Sequence, residues 1–313
     1  MKNEELTAPN EELEGKNETM AEGNAAAQNS SFLNLHSSFT APEGVVLLLD
    51  KPLTWTSFDV VRKVKNALRI KKVGHAGTLD PLATGLLILC TGRKTKEIDL
   101  IQAQEKEYTG TFRLGETTPS FDLETAVDLV RPYAHLTAEQ IAAATRPFIG
   151  TIQQTPPLFS AVKIDGQRAY ELARNGQQAE IKAKTVEIKT FELTRIALPE
   201  IDFRVVCSKG TYIRSLARDL GQALGCGAHL TRLVRTRIGE FRVEDAYSLD
   251  AIEALRQPRP AGDPRPARPA RPRTAPNRAG LQYFAALQAD ALAAQEHAAA
   301  DAPDPKPAPP TGS

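Results

Sequence analysis

Three polar side chains stand beside two glycines in residues 74–80, and they are the first candidates for chemistry: His75, Thr78 and Asp80. Glycine permits backbone shapes that other residues avoid and lets a ligand approach closely. Pro81 fixes φ and suits either the first turn of a helix or a tight turn. The apolar run at 85–90 predicts a buried strand. A polar loop mounted on a buried strand is a common way to present reactive groups.

The same residues also allow simpler interpretations. An Asp before a Pro often caps a helix without taking part in chemistry, and a single His is often only a hydrogen-bonded structural residue. A phosphate-binding loop does not fit, because Gly85 and Gly92 are too far apart and Arg93 stands where Lys is required. Spacing alone therefore indicates a candidate site without naming its reaction.

The elements that must position this segment begin at Gly44. An apolar strand is predicted at 45–49, and Thr56 with Asp59 predicts a capping box that opens a helix. That helix carries a basic face, which could contact phosphates or simply be solvated: Arg62, Lys63, Lys65 and Arg69. Further strands are predicted at 109–114, 182–197 and 201–207, and further helices at 95–103, 137–144, 169–174 and from Ile213. Residues 115–136 are predicted to be loop.

The twelve residues 74–85 read Gly-His-Ala-Gly-Thr-Leu-Asp-Pro-Leu-Ala-Thr-Gly. They closely resemble the catalytic motif of the TruB family, the bacterial tRNA pseudouridine synthases. The similarity runs from about Val45 to Leu249. It implies an α+β fold with a mixed, mostly antiparallel β-sheet flanked by helices, and a thumb-like insertion at 153–181 that closes over the RNA arm. Guide-RNA-dependent relatives of archaea and eukaryotes have a similar motif and are the nearest alternative.

The resemblance also implies roles for single residues. Asp80 matches the essential catalytic carboxylate, Arg214 the arginine that pairs with it, and Tyr108 the tyrosine that stacks on the target base. The remaining matches are to residues that hold or line the flipped base: His75, Tyr212 and Leu233. Without the resemblance, Arg214 would be interpreted as a surface helix residue. Tyr108, Tyr212 and Leu233 would be interpreted as structural.

The reaction implied is isomerisation of uridine 55 in the T loop of tRNA. The N1–C1′ bond breaks, the uracil turns, and C5 bonds to C1′. The base must first flip out of the folded RNA, at a cost of a few kcal/mol. The step needs no redox or phosphoryl chemistry, so the resemblance implies no cofactor and no metal. The three cysteines agree, since they are widely spaced and make no metal pattern with His: Cys90, Cys207 and Cys226.

Composition predicts three regions. Residues 1–43 hold two Lys/Arg against eight Asp/Glu and predict an acidic, disordered extension. Residues 44–250 are mildly basic and correspond to the catalytic domain. Residues 251–313 are rich in Pro, Ala and Arg and predict a low-complexity tail without the PUA-type domain that many TruB enzymes carry. The sequence therefore assigns no domain to the contacts with tRNA beyond the T arm.

Other features limit the setting. Cysteine usage and the absence of a secretory signal or a membrane-spanning run predict a cytoplasmic protein. The resemblance implies tRNA as the partner, no obligate protein partner, and a monomer. Two other hypotheses stay open: a tRNA-binding folding helper, and a guide-RNA-dependent catalytic subunit, which would lack its expected C-terminal domain here.

Overall fold

The computed structural model of this chain describes residues 43–160, 162–164, 166–174 and 179–256. These residues form two compact units. The first unit contains the described residues up to Glu107 and from Val234 onward, and the second contains those between them. The expected N-terminal extension and most of the expected C-terminal tail lie outside the described residues, as do parts of the expected insertion at 153–181.

The strands, numbered in chain order, are β1 (Val46–Lys51), β2 (Val73–His75), β3 (Ala83–Thr91), β4 (Lys106–Leu114), β5 (Glu116–Thr117), β6 (Leu129–Val130), β7 (Gly150–Gln154), β8 (Lys163–Ile164), β9 (Gln167–Arg168), β10 (Lys184–Ala197), β11 (Glu200–Cys207), β12 (Ala228–Ile238) and β13 (Phe241–Arg242). The α-helices are α1 (Ser57–Ala67), α2 (Ile98–Ala103), α3 (Ala138–Thr145), α4 (Ala169–Arg174), α5 (Ile213–Ala223) and α6 (Leu249–Ala254). Short 3-10 helices cover Gly92–Glu97, Arg146–Phe148 and Val243–Asp245.

In the first unit β3 is the central strand. It pairs antiparallel with β1, with Val46 opposite Cys90 and Lys51 opposite Gly85, and it also pairs antiparallel with β2. The strand order is β1-β3-β12, and β13 pairs with β12. Leu87 and Leu89 pack toward the hydrophobic cluster that α1 and α6 complete. Leu86, Ile88 and Cys90 alternate with them and pack on the other face. β3 is therefore an almost continuous apolar run, as expected of a strand covered on both sides.

Helix α1 has the start that the sequence predicted. The Thr56 side chain accepts from the backbone N–H of Asp59, and the Asp59 carboxylate accepts from the backbone N–H of Thr56. This reciprocal pair satisfies two donors that a helix start otherwise leaves free. Val60 and Val64 are fully buried on the opposite side from the basic residues, which fixes the orientation of the helix on the sheet.

In the second unit the strand order is β12-β4-β11-β10-β7. β10 pairs antiparallel with both β11 and β7. Three aromatic rings fill the core: Phe112 stacks on Phe203 at 4.1 Å, and Phe191 meets Phe112 edge-on at 6.3 Å. The α+β class with a mostly antiparallel sheet is thus confirmed.

The elements differ from the sequence-based expectation at three places. The expected loop at 115–136 contains the antiparallel pair β5-β6, whose two-residue strands are too short for a hydrophobic period to reveal. The helix expected at 95–103 begins as a 3-10 helix at Gly92. The expected boundary at 250 falls inside α6, which buries Leu249 and Ile252 against the core of the first unit. No helix in the described ranges combines the length and apolar character needed to cross a membrane.

Candidate active site

Asp80 lies in the first unit, in the tight turn that leads into β3. The backbone N–H of Ala83 donates to the Asp80 carbonyl at 3.1 Å, and β3 begins at Ala83. Asp80 therefore does not cap a helix, and the helix-cap interpretation of Asp80-Pro81 is wrong. Its side chain is half-buried at the end of an otherwise buried strand. This arrangement leaves a carboxylate accessible on a fixed backbone.

The segment before α1 holds the Asp80 turn from one side. The Ser57 hydroxyl accepts from the Leu79 backbone N–H at 2.9 Å and reaches the Leu79 carbonyl at 3.2 Å. The backbone N–H of Thr54 donates to the Pro81 carbonyl at 2.8 Å. Both residues that flank Asp80 are therefore bonded to the start of α1, and the turn is defined by more than its own sequence.

Lys51 is a buried cation beneath this turn. Its ammonium donates to the carbonyls of Trp55 at 2.6 Å, Pro52 at 3.0 Å and Pro81 at 3.3 Å, and its side chain is 0% exposed. Burial lowers the pKa of Lys51 to about 8, against the opposing charge of Asp80. Lys51 thus links the end of β1 to the residue that follows the candidate catalytic carboxylate.

Arg235 holds the same loop from the other side. Its guanidinium donates to the carbonyls of Leu86 at 2.8 Å, Gly77 at 3.2 Å and Thr78 at 3.3 Å. The side chain is 1% exposed. These three carbonyls precede and follow Asp80, so one buried side chain fixes both arms of the loop. No local sequence pattern predicts this role for Arg235, because an arginine at a strand position does not show which carbonyls it will meet.

Gly85 explains how β12 can approach so closely. A Cβ atom at this position would lie 2.4 Å from the Arg235 carbonyl oxygen and 2.9 Å from its backbone nitrogen. Its φ of +94° is also a conformation that other residues rarely adopt. The glycine therefore brings Arg235 within reach of the loop, and its role is packing between strands rather than ligand binding.

His75 is the last residue of β2 and is half-buried. Burial lowers its pKa, and the neighbouring charge of Arg235 acts in the same direction. The imidazole is therefore neutral near pH 7. Its buried Nδ1 meets no hydrogen-bond partner among the residues that the structure describes. That nitrogen remains available for a group outside these residues.

In the second unit Arg214 lies in the first turn of α5 and is 3% exposed. The interpretation as a surface helix arginine is therefore wrong. Its guanidinium donates to the carbonyls of Phe159 at 2.9 Å and Ser120 at 3.2 Å, and its Nε lies 3.5 Å from an Asp122 carboxylate oxygen. Arg214 thus connects the start of α5 to two loops, one of which belongs to the expected insertion.

Asp122 is a residue that the sequence analysis missed. It is 4% exposed, and its second carboxylate oxygen accepts from the Glu124 backbone N–H at 2.9 Å. The loop around it is held internally, because Thr118 and Ser120 both donate to the Asp122 carbonyl. The sequence signal for such a loop was the presence of Thr118, Ser120 and Asp122 close together, since small polar side chains often hydrogen-bond to nearby backbone groups.

Tyr212 immediately precedes α5 and is half-buried. The buried Gln154 side chain bonds its backbone twice, accepting from the Tyr212 N–H at 2.8 Å and donating to its carbonyl at 3.1 Å. Leu233 is buried on β12, as a structural interpretation also predicts. Tyr108, on β4, is only half-buried and so is not enclosed in the core.

The predicted site residues are divided between the units. The structure places Asp80 and His75 in the first, and these lie on one continuous loop and strand. The second unit contains the other four: Tyr108, Tyr212, Arg214 and Leu233. Of these, Tyr212 and Arg214 occupy the same turn of chain at the start of α5.

In the part of the chain that the structure describes, no three His, Cys, Asp or Glu side chains lie close enough together to hold a metal ion. The three cysteines are free and buried. Burial raises the pKa of the Cys90 thiol to about 11, so this thiol is protonated and unreactive near neutral pH.

Two family models match the chain in sequence. Residues 65–213 match the N-terminal domain of the TruB family pseudouridylate synthases. Residues 214–260 match a tRNA pseudouridylate synthase B C-terminal domain. Together they span residues 65–260, which include the Asp80 loop and α5.

Individual proteins give the same result. The chain is 57% identical to the tRNA pseudouridine synthase B of Phocaeicola vulgatus, over 67% of this chain and 92% of that protein. It is 56% identical to the Flavobacterium johnsoniae protein of the same name, over 67% and 95%.

Solved structures are similar at the level of the fold. A chain of a Cbf5-Nop10-Gar1 complex matches with a TM-score of 0.53 and 32% identity, covering 69% of this chain and 54% of that one. A chain of the archaeal box H/ACA sRNP Nop10-Cbf5 complex matches with a TM-score of 0.51 and 28% identity, covering 71% and 55%. The chain spans about half the length of these solved chains. From the family models and the curated relatives we conclude that this chain belongs to the TruB family of pseudouridylate synthases.

Proposed function

We propose that this protein converts uridine 55 in the T loop of tRNA to pseudouridine, with Asp80 as the catalytic carboxylate. The observation that carries the proposal is the Asp80 turn. It presents one accessible carboxylate at the end of a buried strand, held by Ser57, Lys51 and Arg235. Such pre-organisation keeps the reacting group in place without help from the substrate.

The chemistry is an isomerisation that conserves all atoms. The N1–C1′ bond breaks, the base turns, C5 bonds to C1′, and the C5 proton leaves while N1 gains one. A carboxylate such as that of Asp80 suits attack on, or stabilisation of, an electron-poor carbon of the sugar or the base. No electron or group is supplied from outside, so the proposal includes no cofactor and no metal.

Arg214 and Tyr108 complete the proposed catalytic set. Arg214 is proposed as a catalytic residue from its match to the family motif, and its support is its burial at the start of α5, where hydrogen bonds to the Phe159 and Ser120 carbonyls fix its guanidinium. Tyr108 stacks on the target base and assists removal of the C5 proton. Its support is that Tyr108, on β4, is half-buried and so is not enclosed in the core, and aromatic side chains are the groups on which unstacked RNA bases stack.

The proposed base-holding residues are His75, Tyr212 and Leu233. For His75 the support is a neutral imidazole whose buried Nδ1 lacks a partner among the described residues. For Tyr212 it is the double hydrogen bond from Gln154, which fixes its backbone. Leu233 offers an apolar surface, which suits the face of a base that has left its stack.

Free tRNA is the proposed substrate. Identity is 57% to a protein named for action on tRNA, against 32% and 28% to the two chains solved in box H/ACA-type complexes. Lys71 and Lys72 are exposed directly before β2 and offer phosphate contacts beside the loop. We also propose that the protein acts as a cytoplasmic monomer; three free, buried thiols support a reducing compartment.

The test follows release of tritium from C5 of uridine in an unmodified tRNA transcript. Wild type should release label, and Asp80→Asn should release none while still binding tRNA. Asp99→Asn, an exposed carboxylate of α2 in the same unit, is the matched control and should behave as wild type. A transcript with cytidine at position 55 should give no release.

Each outcome decides between hypotheses. Release by Asp80→Asn would overturn the role of Asp80. Release from the cytidine transcript would retain the chemistry and overturn the target position. Binding of tRNA without release by wild type would favour a folding helper or a guide-dependent subunit, and addition of cellular RNA restoring release would identify the latter.

A further inference from the structure

One face of α1 carries an exposed aromatic ring in line with two cations, and a third cation follows the end of the helix. Phe58 is 68% exposed, and Arg62 and Lys65 follow at the i+4 and i+7 positions, on the same side of the helix. Arg69 is exposed just beyond the helix end, in a left-handed conformation with φ of +54°. We call these four residues the α1 stripe. The core is filled without it, because α1 packs through Val60 and Val64 on its other face.

The α1 stripe begins beside the Asp80 loop. Ser57, the neighbour of Phe58, bonds both backbone groups of Leu79. The capping box between Thr56 and Asp59 holds the first turn, and Asp59 also pairs with Arg62 at 2.7 Å. The backbone that carries Phe58 is therefore held in a turn that is hydrogen-bonded to Leu79, the residue before the candidate catalytic carboxylate.

The chemistry of the stripe matches single-stranded RNA. An exposed aromatic ring gives a base a face on which to stack, and lysine and arginine side chains in line with it attract successive phosphates. Lys65 lies about 10 Å along the helix axis from Phe58, at a rise of about 1.5 Å per residue. An apolar protein partner would leave these cations desolvated, so charge favours the nucleic acid.

We propose that the α1 stripe is a second RNA contact, in which Phe58 stacks on an unpaired base of the substrate and Lys65 and Arg69 hold the adjoining phosphates. This inference rests on the proposed function, because it places the bound RNA at the Asp80 loop. It adds to that function a contact outside the reacting base. The contact stabilises the complex without touching the reacting atoms.

The aromatic part is tested with Phe58→Leu, Phe58→Trp and the matched control Leu100→Ala. Leu100 is 70% exposed in the same unit, on α2 and away from the stripe. Stacking on an aromatic side chain is worth about 1–3 kcal/mol per base, so Phe58→Leu should raise the Kd for tRNA at least about fivefold. Phe58→Trp should retain affinity, and Leu100→Ala should match wild type. The rate at saturating tRNA should stay within about twofold, since Phe58 lies outside the chemistry.

The ionic part is tested by the salt dependence of Kd. Lys65→Gln and Arg69→Gln should each lower the slope of log Kd against log salt by about 0.7–0.9, the value of one phosphate contact. Arg242→Gln, an exposed cation on β13, is the control and should leave the slope unchanged.

The outcomes separate this inference from the proposed function. Wild-type affinity in Phe58→Leu, or an equal loss in Leu100→Ala, overturns the stripe while tritium release by wild type still supports the enzyme. Binding without any release by wild type overturns the enzyme, and the Kd values still decide the stripe. Absence of tRNA binding by wild type overturns both.

Discussion

Two buried arginines, one in each unit, stabilise the loops that they contact through different kinds of partner. Arg235 donates to three backbone carbonyls around Asp80 and is 1% exposed. Arg214 donates to two carbonyls and faces the Asp122 carboxylate at 3.5 Å, and it is 3% exposed. The first fixes the shape of a backbone, and the second places a charge next to a charge.

The difference matters for what each loop can tolerate. A carbonyl that loses its donor remains neutral, and part of its hydrogen bonding can be replaced by water or by a shift of the loop. A buried carboxylate that loses its cation keeps a charge in a medium that solvates it poorly. We therefore expect stability to depend more on the arginine of the second unit, and loop geometry to depend more on the arginine of the first.

The largest effect is expected when the Arg214–Asp122 pair is broken. Arg214→Met removes the cation that faces the buried Asp122 carboxylate, which should lower the free energy of unfolding by about 3–5 kcal/mol. Urea unfolding at pH 7, followed by far-UV circular dichroism, measures this. Activity should also be lost, because Arg214 belongs to the proposed catalytic set.

The control for this prediction removes both charges. Arg214→Met with Asp122→Leu should recover most of the lost stability while remaining inactive, since a buried ion pair can often be replaced by apolar residues at little cost. If the double variant is as unstable as Arg214→Met alone, the hydrogen bonds to Ser120 and Phe159, and not the charge pair, determine the stability of this region.

The middle effect is expected at Arg235. Arg235→Met removes three donors to neutral carbonyls and should cost about 2–3 kcal/mol of unfolding free energy. Its clearer signature is catalytic: turnover at saturating tRNA should fall sharply while the Kd for tRNA changes little, because the loop that carries Asp80 loses its shape. Arg235→Lys keeps the charge but replaces the planar guanidinium with donors on a single nitrogen, so it should rescue stability more than turnover.

A different pattern would break the comparison. If Arg235→Met raised the Kd for tRNA and left turnover intact, the arginine would serve binding rather than the geometry of the Asp80 loop. Arg237→Met is a suitable control, because Arg237 lies two residues along the same strand and pairs with the Glu105 carboxylate at 2.8 Å.

The two arginines also show what the sequence could and could not predict. The buried strand at 85–90 and the capping box at Thr56 follow from local patterns, and the structure confirms them. The twelve-residue motif predicted the family, and the family models confirm that prediction. Asp80, by contrast, was assigned by resemblance, since an Asp before a Pro has several local uses.

Long-range partners were beyond local reasoning. Arg235 bonds Gly77, about 160 positions earlier in the chain, and Arg214 bonds Ser120, about 90 positions earlier. Such contacts depend on strand order, which hydrophobic period does not encode. Burial of these arginines was equally hidden, because arginine is usually exposed and only its partners make burial tolerable.

The smallest effect on stability is expected at Lys51, which also tests most directly how a buried cation acts when it donates to backbone carbonyls. It donates to three carbonyls as Arg235 does, but its charge can be removed within an accessible pH range, because burial lowers its pKa to about 8. The unfolded chain keeps this proton up to about pH 10.4. Between these values the unfolded state binds more protons than the folded state, so the contribution of Lys51 to the free energy of unfolding should rise with pH, by at most about 1.4 kcal/mol per pH unit.

The difference in unfolding free energy between wild type and Lys51→Met should therefore be flat below pH 8 and increase above it. The same difference for Lys65→Met, which removes an exposed lysine of α1, should show no such increase. A difference that decreases above pH 8 would mean that the ammonium charge stabilises the Asp80 turn more than its burial costs. Lys51 would then act through its charge, as Arg214 does beside Asp122, and not only as a donor to backbone carbonyls, as Arg235 does.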